Sequence, residues 1–286
     1  MYDVIVIGAG PAGISAALYA KRAGKNVLVL YYGESNLEKT SVIQNYYGFE
    51  DGISAKKLYA DGIKQAQNIG IDVIKDEVVN IEKNENEFCV LSVDNKYLSK
   101  TLIISTGNKK NKPNIENLSN YEGKGVSYCA TCDGFFYRNK NVAVIGSGNY
   151  AITEAKYLKN IVESVTILTD GEEVHIDDFE TNTKKLRRIY GENAVEGVEF
   201  EDGTKLHFDG FFIALGEAGA FDFSKQMGIF TKGENIIVNE EMETNIEGLY
   251  ACGDVTGGLL QICKAVYEGA KAGINSAKYL NEKGDN

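Results

Sequence analysis

Histidine is scarce in this 286-residue chain, with only His175 and His207, and there is a single C-x-x-C pair, Cys129 and Cys132. A structural zinc site takes about four ligands. With no second C-x-x-C and no histidine nearby in sequence, the pair reads poorly as a zinc half-site. Positive charge is also in deficit, since 30 basic residues against 41 acidic ones leave a net charge of −11. That balance excludes a general nucleic-acid binder and a polybasic membrane anchor, both of which need excess Lys and Arg. No apolar run approaches the ~20 residues that span a bilayer. Met1 leads straight into a strand-like run with neither a basic segment nor a cleavage site, so a first strand is expected and not a signal. Five cysteines, the other three being Cys89, Cys252 and Cys263, make an odd set without the spacing of a secreted disulfide framework. A soluble, cytoplasmic protein is the expectation. Only two prolines occur, and Pro113 follows a polar stretch that reads as a crossing between domains.

What is present is a repeat. Val4-Ile5-Val6-Ile7-Gly8-Ala9-Gly10-Pro11-Ala12-Gly13 matches Val142-Ala143-Val144-Ile145-Gly146-Ser147-Gly148-Asn149-Tyr150-Ala151, and Val27–Leu30 matches Val165–Leu168 at the same offset. Strand, glycine turn, helix and strand twice over predict an α/β chain of two Rossmann-like, three-layer nucleotide folds. Ser54 to Gly70 has helical spacing, 77–100 reads as a small antiparallel insertion, and Gln261 to Leu280 as a helix returning to the first domain. The second domain is thus inserted into the first, with boundaries expected at 1–112 and 244–286 for the first domain and 113–243 for the second.

In the first glycine turn, Gly8 permits the tight bend, Gly10 lets backbone approach a pyrophosphate, and Gly13 allows close helix packing, with Pro11 suited to the first helical turn. Tyr31 stands where such folds often place a ribose-binding acid. In the second turn, Gly146-x-Gly148-x-x-Ala151 is intact, but its strand ends in Leu168-Thr169-Asp170-Gly171-Glu172-Glu173, with no cation for a 2′-phosphate. Like charges 4 Å apart cost roughly 4 kcal/mol at an effective dielectric near 20, so NADPH is disfavoured. Asp170 could instead accept from a ribose hydroxyl of NADH, or the fold could survive for packing alone.

Cys129 and Cys132 read as redox thiols, because a C-x-x-C pair closes a short disulfide and a helix start favours a thiolate. Asp133 could manage the proton. Cys89, Cys252 and Cys263 lie in apolar runs and are expected in the core.

The run Cys129-Ala130-Thr131-Cys132-Asp133-Gly134-Phe135-Phe136-Tyr137 resembles the active-site signature of the low-molecular-weight thioredoxin reductases. Gly8 to Gly13 with Ala12, Asn45-Tyr46-Tyr47-Gly48-Phe49, Ser105-Thr106-Gly107 and Cys252-Gly253-Asp254-Val255 are similar to the family's FAD-domain motifs in order, and Gln261 to its isoalloxazine contact. The resemblance implies a homodimeric flavoenzyme with FAD in the first domain and thioredoxin as substrate. It also implies that Cys132 faces the flavin, Cys129 attacks the thioredoxin disulfide, and Asp133 donates the proton. The small domain would rotate about crossings near Pro113 and Thr244.

The family's basic NADPH signature is missing near Thr169–Gly171, and Ala214-Leu215-Gly216 lacks the usual Pro-Asn-Thr. These losses, and Asn36-Leu37-Glu38-Lys39, resemble the ferredoxin-dependent flavin thioredoxin reductases, although those often lose the second glycine turn as well. Reduced ferredoxin is therefore the expected donor, with NADH or NADPH next. A flavin dithiol oxidase and a redox sensor remain the other readings. An acidic ferredoxin would need a basic surface, for which Lys109-Lys110-x-Lys112 and Lys184-Lys185-Leu186-Arg187-Arg188, the latter read as helical, are candidates.

Overall fold

The computed structural model describes residues 1–107, 115–174 and 176–284. The chain divides into two compact units, Met1–Lys109 with Gly219–Asn286, and Lys110–Ala218. Lys109, Lys110, Lys112, Pro113 and His175 lie outside the described residues.

Unit 1 begins with β1 (Tyr2–Ile7), α1 (Pro11–Arg22) and β2 (Val27–Tyr31). It continues with α2 (Ala55–Asn68), β3 (Asp72–Lys75), β4 (Val78–Lys83), β5 (Phe88–Ser92) and β6 (Lys96–Ile104). The strand order is β3-β2-β1-β6-β5-β4. β1 pairs in parallel with β2 and β6, whereas β4, β5 and the start of β6 form the expected antiparallel part. Val4 to Ile7 and Val27 to Leu30 are all buried, as strands covered on both faces require.

Unit 2 contains β7 (Val126–Ser127), α3 (Ala130–Asp133), β8 (Asn141–Ile145), α4 (Asn149–Lys159), β9 (Ser164–Leu168) and β10 (Glu180–Asn182). A three-stranded antiparallel sheet follows, β11 (Leu186–Tyr190), β12 (Gly197–Phe200) and β13 (Lys205–His207), and then β14 (Gly210–Ile213). The parallel sheet runs β10-β9-β8-β14-β7. The repeat seen in sequence holds at the level of register: Val4 lies opposite Val27 in unit 1, and Val142 opposite Val165 in unit 2.

The chain returns to unit 1 with α5 (Ala220–Met227), β15 (Leu249–Ala251), which pairs with β6, and α6 (Ile262–Gly284). The return begins at Gly219, not near Thr244 as expected. The reason is local packing: Phe223 of α5 is buried, and Gln226 Nε2 donates to the Val79 carbonyl on β4 (3.4 Å). α6 lies against α1 through Gly269 and Gly273, where a Cβ would come within 2.1 Å of the Ala12 oxygen and 2.2 Å of the Ala16 oxygen. Ser15 Oγ, donating to the Val266 carbonyl at 2.7 Å, pins the same seam.

Asp222 near the start of α5 accepts from the Gly219 amide (2.8 Å), and burial pushes its pKa from 3.8 up to about 6. An acid raised in the folded state stabilises the fold while protonated, and that contribution is lost as pH rises through its folded pKa. Asp222→Asn keeps the acceptor without the charge. Thermal melts at pH 8 are expected to show the variant more stable, by up to ~3 kcal/mol, with no gain at pH 4. A gain at pH 4 as large as at pH 8 would contradict this reading.

Candidate active site

Cys129 and Cys132 are joined as a disulfide, with Cα atoms 5.3 Å apart. Their segment is a strand end running into a single helical turn, and Cys129 is that turn's N-cap. The Cys132 amide donates to Cys129 Sγ (3.1 Å), and Thr131 Oγ1 lies 3.3 Å from the same sulfur. Hydrogen-bond donors aimed at a sulfur favour its thiolate, and Cys129 Sγ has two such neighbours. The two sulfurs differ in access: Cys129 is 3% exposed, whereas Cys132 is open.

Asp133 is half-buried and accepts from Ser127 Oγ (2.7 Å). The same hydroxyl oxygen accepts from the Cys129 amide (3.1 Å), so one serine on β7 ties the carboxyl to the backbone of the first cysteine. Burial, with the Asp133 charge adding, raises the Tyr137 phenol above its ordinary pKa. Phe135 and Phe136, directly after the motif, are 64% and 71% exposed.

In unit 1 the first glycine turn has the shape the sequence requires. Gly8 has φ of +112°, and a Cβ on Gly13 would sit 1.9 Å from the Gly8 oxygen and 2.5 Å from Ser105 Oγ. A Cβ on Gly10 would meet no atom within 4 Å, and α1 starts there, at Pro11, with no side-chain cap. Helix N–H groups that face an approachable backbone suit a pyrophosphate. Thr106, where β6 runs into Gly107, has a buried hydroxyl without a hydrogen-bond partner among the described residues. A buried, unpartnered hydroxyl is costly unless a ligand satisfies it. Asn45 and Gln261, far apart in sequence, meet through Asn45 Nδ2 donating to Gln261 Oε1 (2.9 Å). Together these residues fit a bound flavin dinucleotide.

The turn carrying Gly253 and Asp254 is held by two residues that motif reading missed. Lys264 Nζ donates to the Gly253 oxygen (2.9 Å), Thr256 Oγ1 (2.8 Å) and the Gly257 oxygen (2.6 Å), and pairs with Glu268 (3.0 Å). Glu268 in turn accepts from the Gly253 amide (2.9 Å). Burial raises the Asp254 pKa, with Lys264 opposing and Glu268 adding. Opposite charges four apart at the start of a predicted helix were the available signal. Cys252 and Cys89 are buried as expected, and burial pushes both thiols up. Cys263 is exposed, not in the core, because it sits in the first turn of α6 facing away from the seam with α1.

The second glycine turn keeps its backbone but is engaged by the protein's own acids. Gly146 has φ of +154°, and a Cβ there would come within 2.0 Å of the Ala214 oxygen. Ser147 Oγ, between the two glycines, donates to the Glu172 carboxylate. Asp170, a candidate ribose acceptor, is already committed: it accepts from the Leu186 amide (2.9 Å) and from Lys185 Nζ (3.0 Å).

The expected helix over Lys184–Arg188 does not form: Lys184 and Lys185 precede β11, whose Leu186 to Arg188 pair with β12. Leu186 is buried, and an irregularity in register after it breaks the alternation, so that neighbouring Arg187 and Arg188 both converge on Glu199, which is 8% exposed on its side chain, at 3.0 and 2.7 Å. Lys184 pairs with Asp202 (2.8 Å) and Lys205 with Glu199 (3.6 Å). This basic run is largely matched by its own acids. Among the described residues no cluster of three metal-ligating side chains occurs, and no helix is long and apolar enough to cross a membrane.

A redox disulfide in one dinucleotide fold and a flavin-type glycine turn in another define a flavoprotein disulfide oxidoreductase. The pyridine nucleotide-disulphide oxidoreductase family description matches residues 2–269, and the chain belongs to that family. Within it, the chain has the function of a thioredoxin reductase, an enzyme group that depends on FAD. It is 34% identical to a thioredoxin reductase of Aquifex aeolicus, over 99% of this chain and 94% of that one. It is similar to the atypical thioredoxin reductase TRi of Desulfovibrio vulgaris Hildenborough, with TM-score 0.95, 35% identity and 99% of each chain covered. A ferredoxin-flavin thioredoxin reductase of Clostridium acetobutylicum is also similar, with TM-score 0.78, 32% identity and 98% of each chain covered.

Proposed function

We propose that this thioredoxin reductase takes its electrons from reduced ferredoxin, and that Cys132 receives them from the flavin side while Cys129 attacks the thioredoxin disulfide. The observation that carries the donor reading is the bond from Ser147 to Glu172. This bond holds a carboxylate beside the glycine turn to which a nicotinamide dinucleotide would bring its pyrophosphate. Like charge at ~4 Å costs roughly 4 kcal/mol at an effective dielectric near 20, enough to weaken binding by nearly three orders of magnitude. The commitment of Asp170 to Leu186 and Lys185 removes the ribose acceptor as well. Similarity to a ferredoxin-flavin thioredoxin reductase supports the same donor. Of the two basic runs considered for docking, one is largely self-neutralised and the other lies outside the described residues.

Gly8, Gly10, Pro11, Ala12, Gly13, Asn45, Thr106, Gly107, Gly253, Asp254 and Gln261 would hold FAD. When bound, FAD supplies a carrier that accepts electrons from the donor and yields two to a disulfide. The residues of unit 2 do the rest. Cys132 is the exposed residue of the pair, suited to face the flavin; Cys129 Sγ receives the Cys132 amide, which favours a thiolate there, and Cys129 must be uncovered before it meets a partner disulfide. Asp133, oriented by Ser127, is placed to protonate the departing sulfur. Exposed Phe135 and Phe136 offer thioredoxin an apolar contact beside the motif.

The reading is tested by following thioredoxin-dependent insulin reduction with each donor in turn. Turnover with reduced ferredoxin and none with NADH or NADPH is expected; turnover with NADPH alone would overturn it. Asp133→Asn is expected to lower thioredoxin turnover about 10²-fold, the scale of losing a positioned proton donor, without loss of FAD. A change of less than threefold would remove Asp133 from the mechanism.

A further inference from the structure

Glu154 is a buried acid that the reading above does not use. It lies on α4, the helix that leaves the second glycine turn, and its Oε2 accepts from the Ala130 amide at 2.7 Å. Ala130 immediately follows Cys129, so this carboxylate reaches the backbone between the two redox sulfurs. One helical turn earlier, Tyr150 is fully buried, and its hydroxyl donates to the Tyr128 carbonyl (3.4 Å) on the other side of Cys129. Residues four apart share a helix face. That face, with Ala151, Ala155 and Leu158, is the buried one. The direction of α4 is set by the Gly146 turn, in which only glycine fits against the Ala214 oxygen.

We infer that Glu154 is a positioning residue for the Cys129–Cys132 couple, and that the second glycine turn is retained because it aims the helix carrying it. The turn has lost its phosphate grip but still has a structural client in the redox motif. Two consequences follow for the couple. The bond to Ala130 fixes the backbone of the C-x-x-C turn, which keeps the Cys132 amide directed at Cys129 Sγ. A carboxylate bonded to the backbone next to Cys129 would, when ionised, also oppose the thiolate that forms when the disulfide opens. Opening takes two electrons and two protons, breaks one S–S bond and leaves two thiols, one of which can ionise. Glu154 therefore biases the couple toward the disulfide and makes the dithiol the stronger reductant.

The inference rests on the dithiol being the redox group and is independent of the donor, so its test uses a chemical reductant. The FAD-loaded protein is equilibrated in dithiothreitol buffers of graded ratio, acid-quenched, denatured and assayed for Cys129 and Cys132 thiols. Glu154→Gln keeps size and an acceptor oxygen while removing charge; it is expected to shift the equilibrium about fivefold toward the dithiol. Glu154→Leu also loses the bond to Ala130, which works the other way, so its shift toward the dithiol is expected to be smaller than that of Gln, with lower thermal stability. A merely structural role would lower stability in Leu while leaving the Gln equilibrium within twofold of the parent, and that result would overturn the inference. Should Glu154→Leu fail to fold, the Glu154→Gln equilibrium decides alone; hydrogen exchange at Ala130 in the unmutated, oxidised protein checks the bond itself, and exchange at the rate of an exposed turn would overturn the inference. Absence of ferredoxin-driven turnover in the parent, together with the expected shift in Glu154→Gln, would count against the donor reading alone.

Discussion

Cys132→Ser is expected to lose thioredoxin reduction by at least about 10³-fold, on the scale seen when a covalent nucleophile is removed. The flavin spectrum should be unchanged, because no residue of the first glycine turn or of the Gly253–Thr256 turn is touched. The physical reason is stoichiometric. Without the second sulfur there is no disulfide for two electrons to open, and no resolving thiol to release a partner held on Cys129. Cys129, still capped by the Cys132-position amide, should accumulate a mixed disulfide with thioredoxin, visible on non-reducing gels. Turnover within tenfold of the parent would mean that electrons bypass the pair.

Gly13→Ala separates the two dinucleotide folds. Its added Cβ would lie 1.9 Å from the Gly8 oxygen and 2.5 Å from Ser105 Oγ, neither of which can retreat without opening the turn. Overpacking of that kind costs about 3 kcal/mol, the upper end of the usual range, because both neighbours are fixed. FAD content after purification is expected to fall below about a tenth of the parent's, since a loss of that energy is more than two orders of magnitude in affinity. Gly146→Ala makes an equally close contact, 2.0 Å from the Ala214 oxygen, but in unit 2. It should destabilise the protein and slow thioredoxin reduction while sparing FAD. Comparable FAD loss in both variants would contradict the assignment of the cofactor to the first turn alone.

Much of the fold was legible because its signals are local. Alternating runs within 77–100 mark the antiparallel strands, and the glycine turns with equal offsets mark two parallel sheets whose registers repeat. The return at Gly219 was not legible. It depends on Phe223 and Gln226 finding unit 1, a tertiary contact with no sequence period of its own. The Lys184–Arg188 run read as a helix because consecutive charges carry no clear alternation; its strand is set by pairing with β12 and by Glu199 beneath it. The redox motif was legible from its spacing, but its supports were not. Ser127, Glu154 and Glu172 act through bonds to Asp133, Ala130 and Ser147, which lie 6, 24 and 25 positions away, and nothing in their neighbourhood marks them.

On the proposed reading, the retained glycines of the second turn serve α4 and the dithiol, and the bond from Ser147 to Glu172 disfavours a nicotinamide nucleotide there. The most direct measurement is anaerobic stopped-flow at the flavin absorbance band, mixing the oxidised FAD-loaded protein separately with NADPH, NADH and reduced ferredoxin. Rapid bleaching by ferredoxin, with neither nicotinamide bleaching the flavin on the timescale of turnover, is the predicted result; rapid bleaching by NADPH or NADH would contradict it.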